Sequence, residues 1–201
     1  MHLSPKMYHI VQCLVHGNYE KTLKILSKML DIENGDIIVE LGSGDGGFSR
    51  NILQMGCQYY GIDADEERVK IAQQNIPKAS FFASDLIDFD FSTIPITKQY
   101  FCHGLLHHLD DEQCKKLIKK IIGIDDNVRF VTIEPVRPIT WYSNPIGTIV
   151  SNMDDGDYIR TIDSWKELFN PWLSKLEILN LFPRWPIPFV FCLLESKQKF
   201  V

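Results

Sequence analysis

A run of closely spaced glycines is the stretch of the sequence whose residue types most directly indicate binding chemistry. The mainly apolar residues 37–41 contain one acid, Glu40, and lead into Gly42-Ser43-Gly44-Asp45-Gly46-Gly47. Glycine reaches positive φ at low cost, and because it lacks a Cβ atom it lets a ligand lie directly against the backbone. The pattern predicts a strand that runs into a glycine-rich turn and then a helix, with a ligand bound at the turn.

The glycines alone leave two ligand chemistries open. Gly42, Gly44 and Gly47 fit the G-x-G-x-x-G pattern of dinucleotide-binding turns, which an NAD(P)-dependent Rossmann oxidoreductase would use. Glu40 followed by Gly42, Gly44 and Gly46 fits acid-x-G-x-G-x-G instead. This second pattern resembles motif I of the class I S-adenosylmethionine (SAM)-dependent methyltransferases.

Acids also end the next two predicted strands. Asp63 closes the second strand, at 57–63, and Asp85 closes the third, at 79–85. A carboxylate at the end of the second strand can accept hydrogen bonds from ribose hydroxyls in either ligand class. The resemblance to methyltransferases implies that Asp85 accepts from an adenine amino group and that a backbone amide near Leu86 reaches the ring.

Later segments extend the resemblance to the small-molecule methyltransferases. The fourth predicted strand, 100–103, leads into Leu106-His107-His108, which is similar to the "LHH" segment of that group. The fifth ends in Glu134-Pro135, and residues 157–169 are similar to one of its late helices. The resemblance covers roughly residues 37 to 195 and implies SAM as cofactor, with S-adenosylhomocysteine (SAH) as product.

The cofactor contacts follow from this resemblance, position by position. Glu40 and the glycine turn are expected around the methionine and ribose portions, Asp63 at the ribose, and the backbone of His103 near the methionine amino group. The expected cofactor-binding residues are Glu40, Gly42, Ser43, Gly44, Gly46, Asp63, Ala64, Asp85, Leu86 and His103.

Methyl transfer to a hydroxyl or ammonium group also requires loss of a proton. Histidine titrates near neutral pH, which makes His103, His107 and His108 candidate bases. A catalytic role is assigned to His103 and His107, and Glu134 at the end of the fifth predicted strand competes with them. The structural alternatives are that the segment of His107 forms only a turn and that Glu134 only orders the loop beside it.

The acceptor pocket is expected between an N-terminal helical cap, residues 1–33, and a lid-like insertion, residues 137–162. Aromatic side chains there could stack on an apolar acceptor, and a cation could bind an anionic group. The candidate substrate-binding residues are Tyr8, Trp141, Tyr142, Tyr158 and Arg160. The alternatives are packing of the aromatic rings under the lid and pairing of Arg160 with Asp157.

Composition bounds the class of protein. The 201 residues are compatible with a single domain, and 45% hydrophobic content is ordinary for a globular protein. A net charge of −5 argues against nucleic acid as a partner, and the lysines 115, 116, 119 and 120 are interpreted as a solvated helix face. No stretch has the length of a membrane span, and the five cysteines form no metal or disulfide pattern. A cytoplasmic protein without a metal site, acting on a small-molecule acceptor, is expected.

Strands and helices alternate as far as Glu134, which predicts a doubly wound, mostly parallel sheet with helices on both faces. Asp63 with Glu66 and Asp110 with Gln113 have the spacing of helix capping boxes. Two final strands, 176–182 and 188–195, predict a seven-stranded sheet with an antiparallel last strand, as in class I methyltransferases. A small-molecule O-, N- or C-methyltransferase is therefore favoured, with an NAD(P)-dependent oxidoreductase and a non-catalytic SAM-binding protein as alternatives.

Overall fold

The computed structural model describes residues 19–137, 156–179 and 189–195. Its strands are β1 Ile37–Leu41, β2 Gln58–Asp63, β3 Ser80–Ala83, β4 Gln99–His103, β5 Arg129–Pro135, β6 Leu173–Leu179 and β7 Phe189–Glu195. Its helices are α1 Tyr19–Leu30, α2 Ser49–Gln54, α3 Glu66–Asn75, α4 Asp111–Ile122 and α5 Ile162–Phe169, with 3₁₀ turns at Phe91–Thr93 and Leu106–His108.

The strands form one seven-stranded sheet in the order β3-β2-β1-β4-β5-β7-β6. Strands β1 to β5 pair in parallel, whereas β7 lies antiparallel between β5 and β6. The predicted mostly parallel sheet with an antiparallel last strand is thus confirmed. The strand order reverses between β1 and β4, and in open α/β sheets ligands bind at the carboxyl ends of the strands at such a switch point.

Alternate residues along the strands pack into two separate hydrophobic layers, one on each face of the sheet. On β4, Tyr100 and Cys102 pack with α4 and α5, whereas Phe101 packs with α1, α2 and α3. The apolar stripe of α4 is buried as its spacing predicts. Both faces of the central strands are covered, so the polar groups that remain free to bind a ligand are concentrated at the strand ends.

One of the two predicted capping boxes is present at the start of its helix. Asp110 accepts from the Gln113 backbone and the Gln113 side chain accepts from the Asp110 backbone, which confirms the box at α4. At α3 the prediction is wrong: Asp65, not Asp63, is the N-cap and accepts from the backbone amides of Glu67 and Arg68. Asp63 lies two residues earlier, and its carboxylate is directed to the glycine turn instead.

The predicted second helix of the N-terminal cap is present as α1. Leu26, Met29 and Leu30 are buried against the sheet, and the Gln99 side-chain amide at the start of β4 donates to the Leu30 carbonyl. The first predicted helix lies outside the described residues, as does most of the predicted insertion. The roles of residues 1–33 as a cap and 137–162 as a lid stay predictions.

Candidate functional site

The glycine turn lies where β1 ends, beside the carboxyl ends of β2 and β4. Gly42 has φ +71°, and a Cβ atom there would lie 2.9 Å from Leu105 Cδ1. Gly46 has φ +82°, and a Cβ atom would lie 2.8 Å from the Phe81 ring. Both positions therefore require glycine, because each has a positive φ and the side chain of Leu105 or Phe81 occupies the place that a Cβ atom would take.

Asp63, at the end of β2, is held by the turn that it faces. Its Oδ2 accepts from the Gly44 amide at 2.7 Å, and its Oδ1 accepts from the Asp65 amide at 2.9 Å. An ionised carboxylate offers about four acceptor positions, so each oxygen can still accept from a ribose hydroxyl. Ala64 follows in the exposed loop between β2 and α3. The structure brings the predicted ribose acid and the predicted glycine turn together.

Glu40 lies on β1, two residues before Gly42, and is buried, with 3% of the residue exposed. The Tyr59 hydroxyl donates a short hydrogen bond to its carboxyl group. The pKa of Glu40 is raised to about 8, chiefly by burial. The Tyr59 hydrogen bond lowers this pKa, and the negative charges of Asp63 and Asp45 raise it. Ser43 is buried nearby, packed against Gly61.

The loop after β3 carries the two residues expected at the adenine. Asp85 lies two residues beyond the end of β3, is exposed, and accepts from the Ile87 amide through Oδ1 at 2.7 Å. Lys120 of α4 holds this loop, because its Nζ donates to the carbonyls of Ile87 at 2.6 Å and Phe89 at 2.7 Å. Leu86 is half-buried against the core and lies between Asp85 and Ile87.

Glu134 and His107 form a buried pair between β5 and the turn that follows β4. Glu134 is 0% exposed, and its Oε2 lies 2.9 Å from His107 Nδ1. The same carboxylate accepts from three successive backbone amides, Leu105 at 3.2 Å, Leu106 at 2.8 Å and His107 at 3.3 Å. Because both oxygens accept from amides, Nδ1 carries the proton of the imidazole and donates it to the carboxylate. Two of the three predicted base candidates are thus in contact, and Glu134 does order the loop.

The third candidate, His103, lies apart from that pair. It ends β4, and its ring is 5.2 Å from the Phe48 ring and 5.8 Å from the Phe189 ring, centroid to centroid. Phe48 and Phe189 belong to the hydrophobic layer of α1 to α3, whereas the neighbouring Cys102 belongs to the opposite layer. The structure therefore separates the His103 ring from His107 by the thickness of the sheet.

Of the predicted substrate-binding residues, Tyr158 and Arg160 are described. Tyr158 is 42% exposed, whereas Arg160 is 9% exposed and donates to Asp111 Oδ1 at 2.7 Å. The expected pairing with Asp157 is therefore wrong: the acid that Arg160 binds is Asp111. Tyr8, Trp141 and Tyr142 lie outside the described residues.

Two residues that position the site escaped sequence reasoning. Tyr59 is a strand residue whose contact with Glu40 depends on the pairing register of β1 and β2, which the sequence does not display. The sequence interpretation places Lys120 on a solvated helix face, but its Nζ donates to the Ile87 carbonyl in the loop after Asp85. Its position at the edge of an apolar helical stripe is the only signal that could have suggested this contact.

The glycine turn, Asp63 and the loop of Asp85 follow the carboxyl ends of β1, β2 and β3 in a sheet with an antiparallel β7. This is the fold of class I SAM-dependent methyltransferases, and SAM is the cofactor of that class. The residues fit such a ligand, because the oxygens of Asp63, beside the Gly44 amide, retain acceptor capacity.

Comparisons with known proteins agree with this class. Residues 38–124 match a family model described as a methyltransferase domain. An uncharacterized methyltransferase of Oceanobacillus iheyensis is 30% identical over 107 residues, which cover 52% of this chain and 50% of that protein. A caffeate O-methyltransferase-like protein of rice (Oryza sativa subsp. japonica) is 23% identical over 158 residues, covering 77% of this chain and 43% of that protein.

A solved structure shows the fold over nearly the whole chain. Magnesium protoporphyrin IX methyltransferase from Synechocystis PCC 6803, crystallised with bound SAH, matches with a TM-score of 0.66 at 16% identity. The match covers 92% of this chain and 87% of that chain. The chain spans about half the length of the first curated relatives that it matches.

Two features, a membrane-spanning helix and a cluster of metal ligands, are absent from the described residues. None of the helices within 19–137, 156–179 and 189–195 is long and apolar enough to cross a membrane. Over the same ranges, no group of three or more His, Cys, Asp or Glu side chains is arranged to hold a metal ion. Cys57, Cys102, Cys114 and Cys192 are buried and free of disulfides, which agrees with their interpretation as reduced core residues.

Proposed function

We propose that this protein transfers the methyl group of SAM to an oxygen atom of a small organic acceptor, with His107 as the general base. The observation that carries this proposal is the 2.9 Å contact between His107 Nδ1 and the buried carboxylate of Glu134. A carboxylate that accepts a hydrogen bond from Nδ1–H fixes the imidazole in the tautomer whose Nε2 carries a lone pair. Such a nitrogen can accept the proton of a hydroxyl group.

The bound cofactor supplies a methyl group that its sulfonium already activates. The protein then has to hold the acceptor in line with the methyl group, exclude water and accept one proton. Positioning of this kind lowers a barrier by several kcal/mol. With SAM bound, His107 Nε2 would accept the hydroxyl proton while the methyl carbon leaves sulfur for the acceptor oxygen and SAH forms, and Glu134 would stabilise the resulting imidazolium.

We assign cofactor binding to the carboxyl ends of β1, β2 and β3. Asp63 accepts from the ribose hydroxyls, the Asp85 carboxylate and a backbone amide near Leu86 contact the adenine, and the glycine turn lies along the methionine and ribose portions. Asp63 supports this assignment because two amides fix its carboxylate facing the turn. Asp85 supports it because its carboxylate is exposed on a loop that Lys120 holds in place.

The relatives favour a small organic acceptor. One is named a caffeate O-methyltransferase-like protein, and a structural neighbour is a magnesium protoporphyrin IX methyltransferase. A net charge of −5 disfavours a nucleic acid, whose phosphates require clustered cations. An oxygen acceptor is chosen because one relative is named an O-methyltransferase-like protein, and the His107–Glu134 pair can take the proton that a hydroxyl has to lose. A cytoplasmic location stays a prediction.

The test has two stages. Calorimetric titration with SAM, SAH and NADH identifies the cofactor, with Asp63→Ala as the variant and Asp126→Ala, on an exposed loop, as the matched control. We expect both sulfur nucleosides to bind the wild type and the control, and binding to be lost in Asp63→Ala. Binding of NADH alone would overturn the methyltransferase assignment in favour of an oxidoreductase.

The second stage follows SAH release from a panel of phenols, carboxylic acids and primary amines. Turnover confined to phenols supports oxygen methylation with a general base. Turnover confined to carboxylic acids, which are already ionised at neutral pH, would support oxygen methylation but overturn the role of His107 as base. Turnover with amines alone would overturn the oxygen acceptor but leave the methyltransferase in place. SAM binding without turnover of any panel member contradicts the proposal and favours a non-catalytic SAM-binding protein.

A further inference from the structure

The segment 156–160 packs directly on the turn that carries His107, which we call the His107 turn and define as residues 105–109. The Tyr158 amide donates to the His107 carbonyl at 2.9 Å. Gly156 lies so close to the imidazole that a Cβ atom there would be 2.0 Å from His107 Cδ2. The main chain of this segment therefore limits where the His107 ring can lie.

All five N–H donors of Arg160 are used, two of them on carbonyls of the His107 turn. Its Nη1 donates to the carbonyls of Leu106 at 3.1 Å and Tyr158 at 3.0 Å, and its Nη2 donates to the Leu109 carbonyl at 2.8 Å. Nε and Nη2 both donate to Asp111 Oδ1, at 2.9 and 2.7 Å. A guanidinium group has five N–H donors, so none remains for a substrate anion.

The surroundings of Arg160 make this arrangement rigid. The guanidinium lies 4.8 Å from the ring of Trp165, which is 0% exposed. The Trp165 Nε1 in turn donates to the Pro135 carbonyl at 3.2 Å, at the end of β5. A cation held against a buried aromatic ring and paired with a carboxylate is a strong attachment.

Glu134 and the 156–160 segment hold the His107 turn from two sides. At Leu106 the amide donates to Glu134 and the carbonyl accepts from Arg160. At His107 the amide donates to Glu134 and the carbonyl accepts from Tyr158. The orientation of the imidazole therefore depends on both attachments, not on Glu134 alone.

Arg160 also joins the two ends of the stretch 138–155. The Arg137 amide donates to the Arg160 carbonyl at 2.9 Å, so the chain leaves β5 and returns at the same point. This stretch falls within the insertion that the sequence predicts over the acceptor pocket. The backbone of Arg160 thus joins the chain that leaves β5 to the segment that packs on the His107 turn.

We propose that Arg160 is a positioning residue for methyl transfer: its bonds to the His107 turn and Asp111 hold the imidazole of His107 in its proton-accepting orientation. The inference rests on the proposed function of the site and gives Arg160 a role distinct from substrate binding. It predicts that loss of Arg160 loosens His107 without removing a cofactor contact.

The experiment uses the full chain labelled with ¹⁵N-histidine and ¹⁵N amides, alone and with SAH added. The Nδ1–H resonance of His107 is identified by its absence in His107→Gln. The variants are Arg160→Met and Arg160→Lys, and the matched control is Arg129→Met, which removes an arginine that pairs with Asp31 and Glu195 instead. We expect the resonance in the wild type and the control, and its loss in Arg160→Met through exchange with water.

Exchange of the Leu106 and His107 amides should rise by about tenfold in Arg160→Met, while the dissociation constant of SAH changes by less than about twofold. Lysine keeps the charge but lacks the planar fork, so Arg160→Lys should restore only part of the protection. If Arg160→Met does not fold, Asp111→Ala removes the shared acceptor, and a smaller change in the same direction is expected.

Retention of the His107 resonance and of amide protection in Arg160→Met, or in Asp111→Ala where the first variant fails to fold, would overturn the proposal. Absence of the resonance from the wild type would overturn it as well. Failure of the wild type to bind SAH would refute the proposed function, and the resonance and exchange data would still decide whether Arg160 positions His107.

Discussion

The carboxylate of Glu134 holds His107 by two groups at once, the backbone amide and the Nδ1 atom of the ring. If the imidazole rotated away from Glu134, it would break a hydrogen bond to the same carboxylate that holds the backbone of its turn. This pair therefore joins the shape of the turn after β4 to the tautomer of the proposed base, and several outcomes depend on it.

Substitution Glu134→Gln should destabilise the fold. An amide side chain offers one acceptor oxygen in place of two, and its NH₂ group would face N–H donors in a fully buried position. Loss of such bonds to a charged group corresponds to about 3 kcal/mol in the free energy of unfolding. Urea unfolding measures it, with Glu195→Gln as the control, since its contact with Arg129 is partly exposed and worth less than about 1 kcal/mol. Equal losses in the two variants would contradict the prediction.

Substitution His107→Gln should lower kcat by about 10²- to 10⁴-fold on any hydroxyl acceptor found by the panel, because the base is removed. Binding of SAH should change little, since His107 faces Glu134 and Gly156, not the glycine turn. Initial rates and calorimetry on the same preparations separate the two effects. The matched control is His108→Gln, at the next position of the turn, and a similar fall in kcat there would argue against a specific role for His107.

Glu40 should make stability depend on pH. Its pKa is about 8 in the folded protein against 4.5 for an ordinary glutamate, so between these values the folded state keeps a proton that the unfolded chain has released. The contribution of Glu40 is complete below pH 4.5 and is lost as the pH rises through about 8. The slope is about 1.4 kcal/mol per pH unit.

The measurement is urea unfolding across this range for the wild type and Glu40→Gln. Glutamine has no proton to lose, so the variant should lack this part of the slope, and its stability relative to the wild type should rise toward high pH. Parallel curves for the two proteins would show that Glu40 is ionised in the folded state.

Lys120 should matter for cofactor affinity although it lies on a helix outside the glycine turn. Its Nζ holds the carbonyls of Ile87 and Phe89, so Lys120→Met should release the loop that follows Asp85. We expect SAH to bind about tenfold more weakly, a loss of roughly 1.4 kcal/mol. Lys119→Met, at the exposed neighbouring position, is the control, and calorimetry with unchanged affinity in both variants would refute the role.

The positions of the strands along the chain and the glycine turn could be predicted from the sequence, because apolar runs closed by acids or glycines mark strand ends locally. Contacts that depend on strand register could not. Tyr59 reaches Glu40 only because Ile38 pairs with Tyr59 and Glu40 lies two residues further on the same face. Nothing in the local pattern of either strand fixes that pairing.

Candidate bases showed the same limit. His103 and Glu134 are predicted at strand ends and His107 in the segment after the fourth strand, but sequence spacing does not say on which face of the sheet each side chain lies. The structure sorts them by the alternation of β4 and β5, which separates the His103 ring from the other two. For Arg160 the error had a different cause: Asp157 is close in sequence, whereas Asp111 is brought near only by the packing of the 156–160 segment on α4.

Contact between Gly156 and the His107 ring restricts how these two positions can vary during evolution. A Cβ atom at 156 would lie 2.0 Å from His107 Cδ2, so alanine is excluded there while the imidazole keeps its place. In descendants of this sequence, residue 156 can gain a side chain only after position 107 has accepted a smaller one. The pair should therefore covary, and a lineage that gives up the glycine is expected to have changed its base as well.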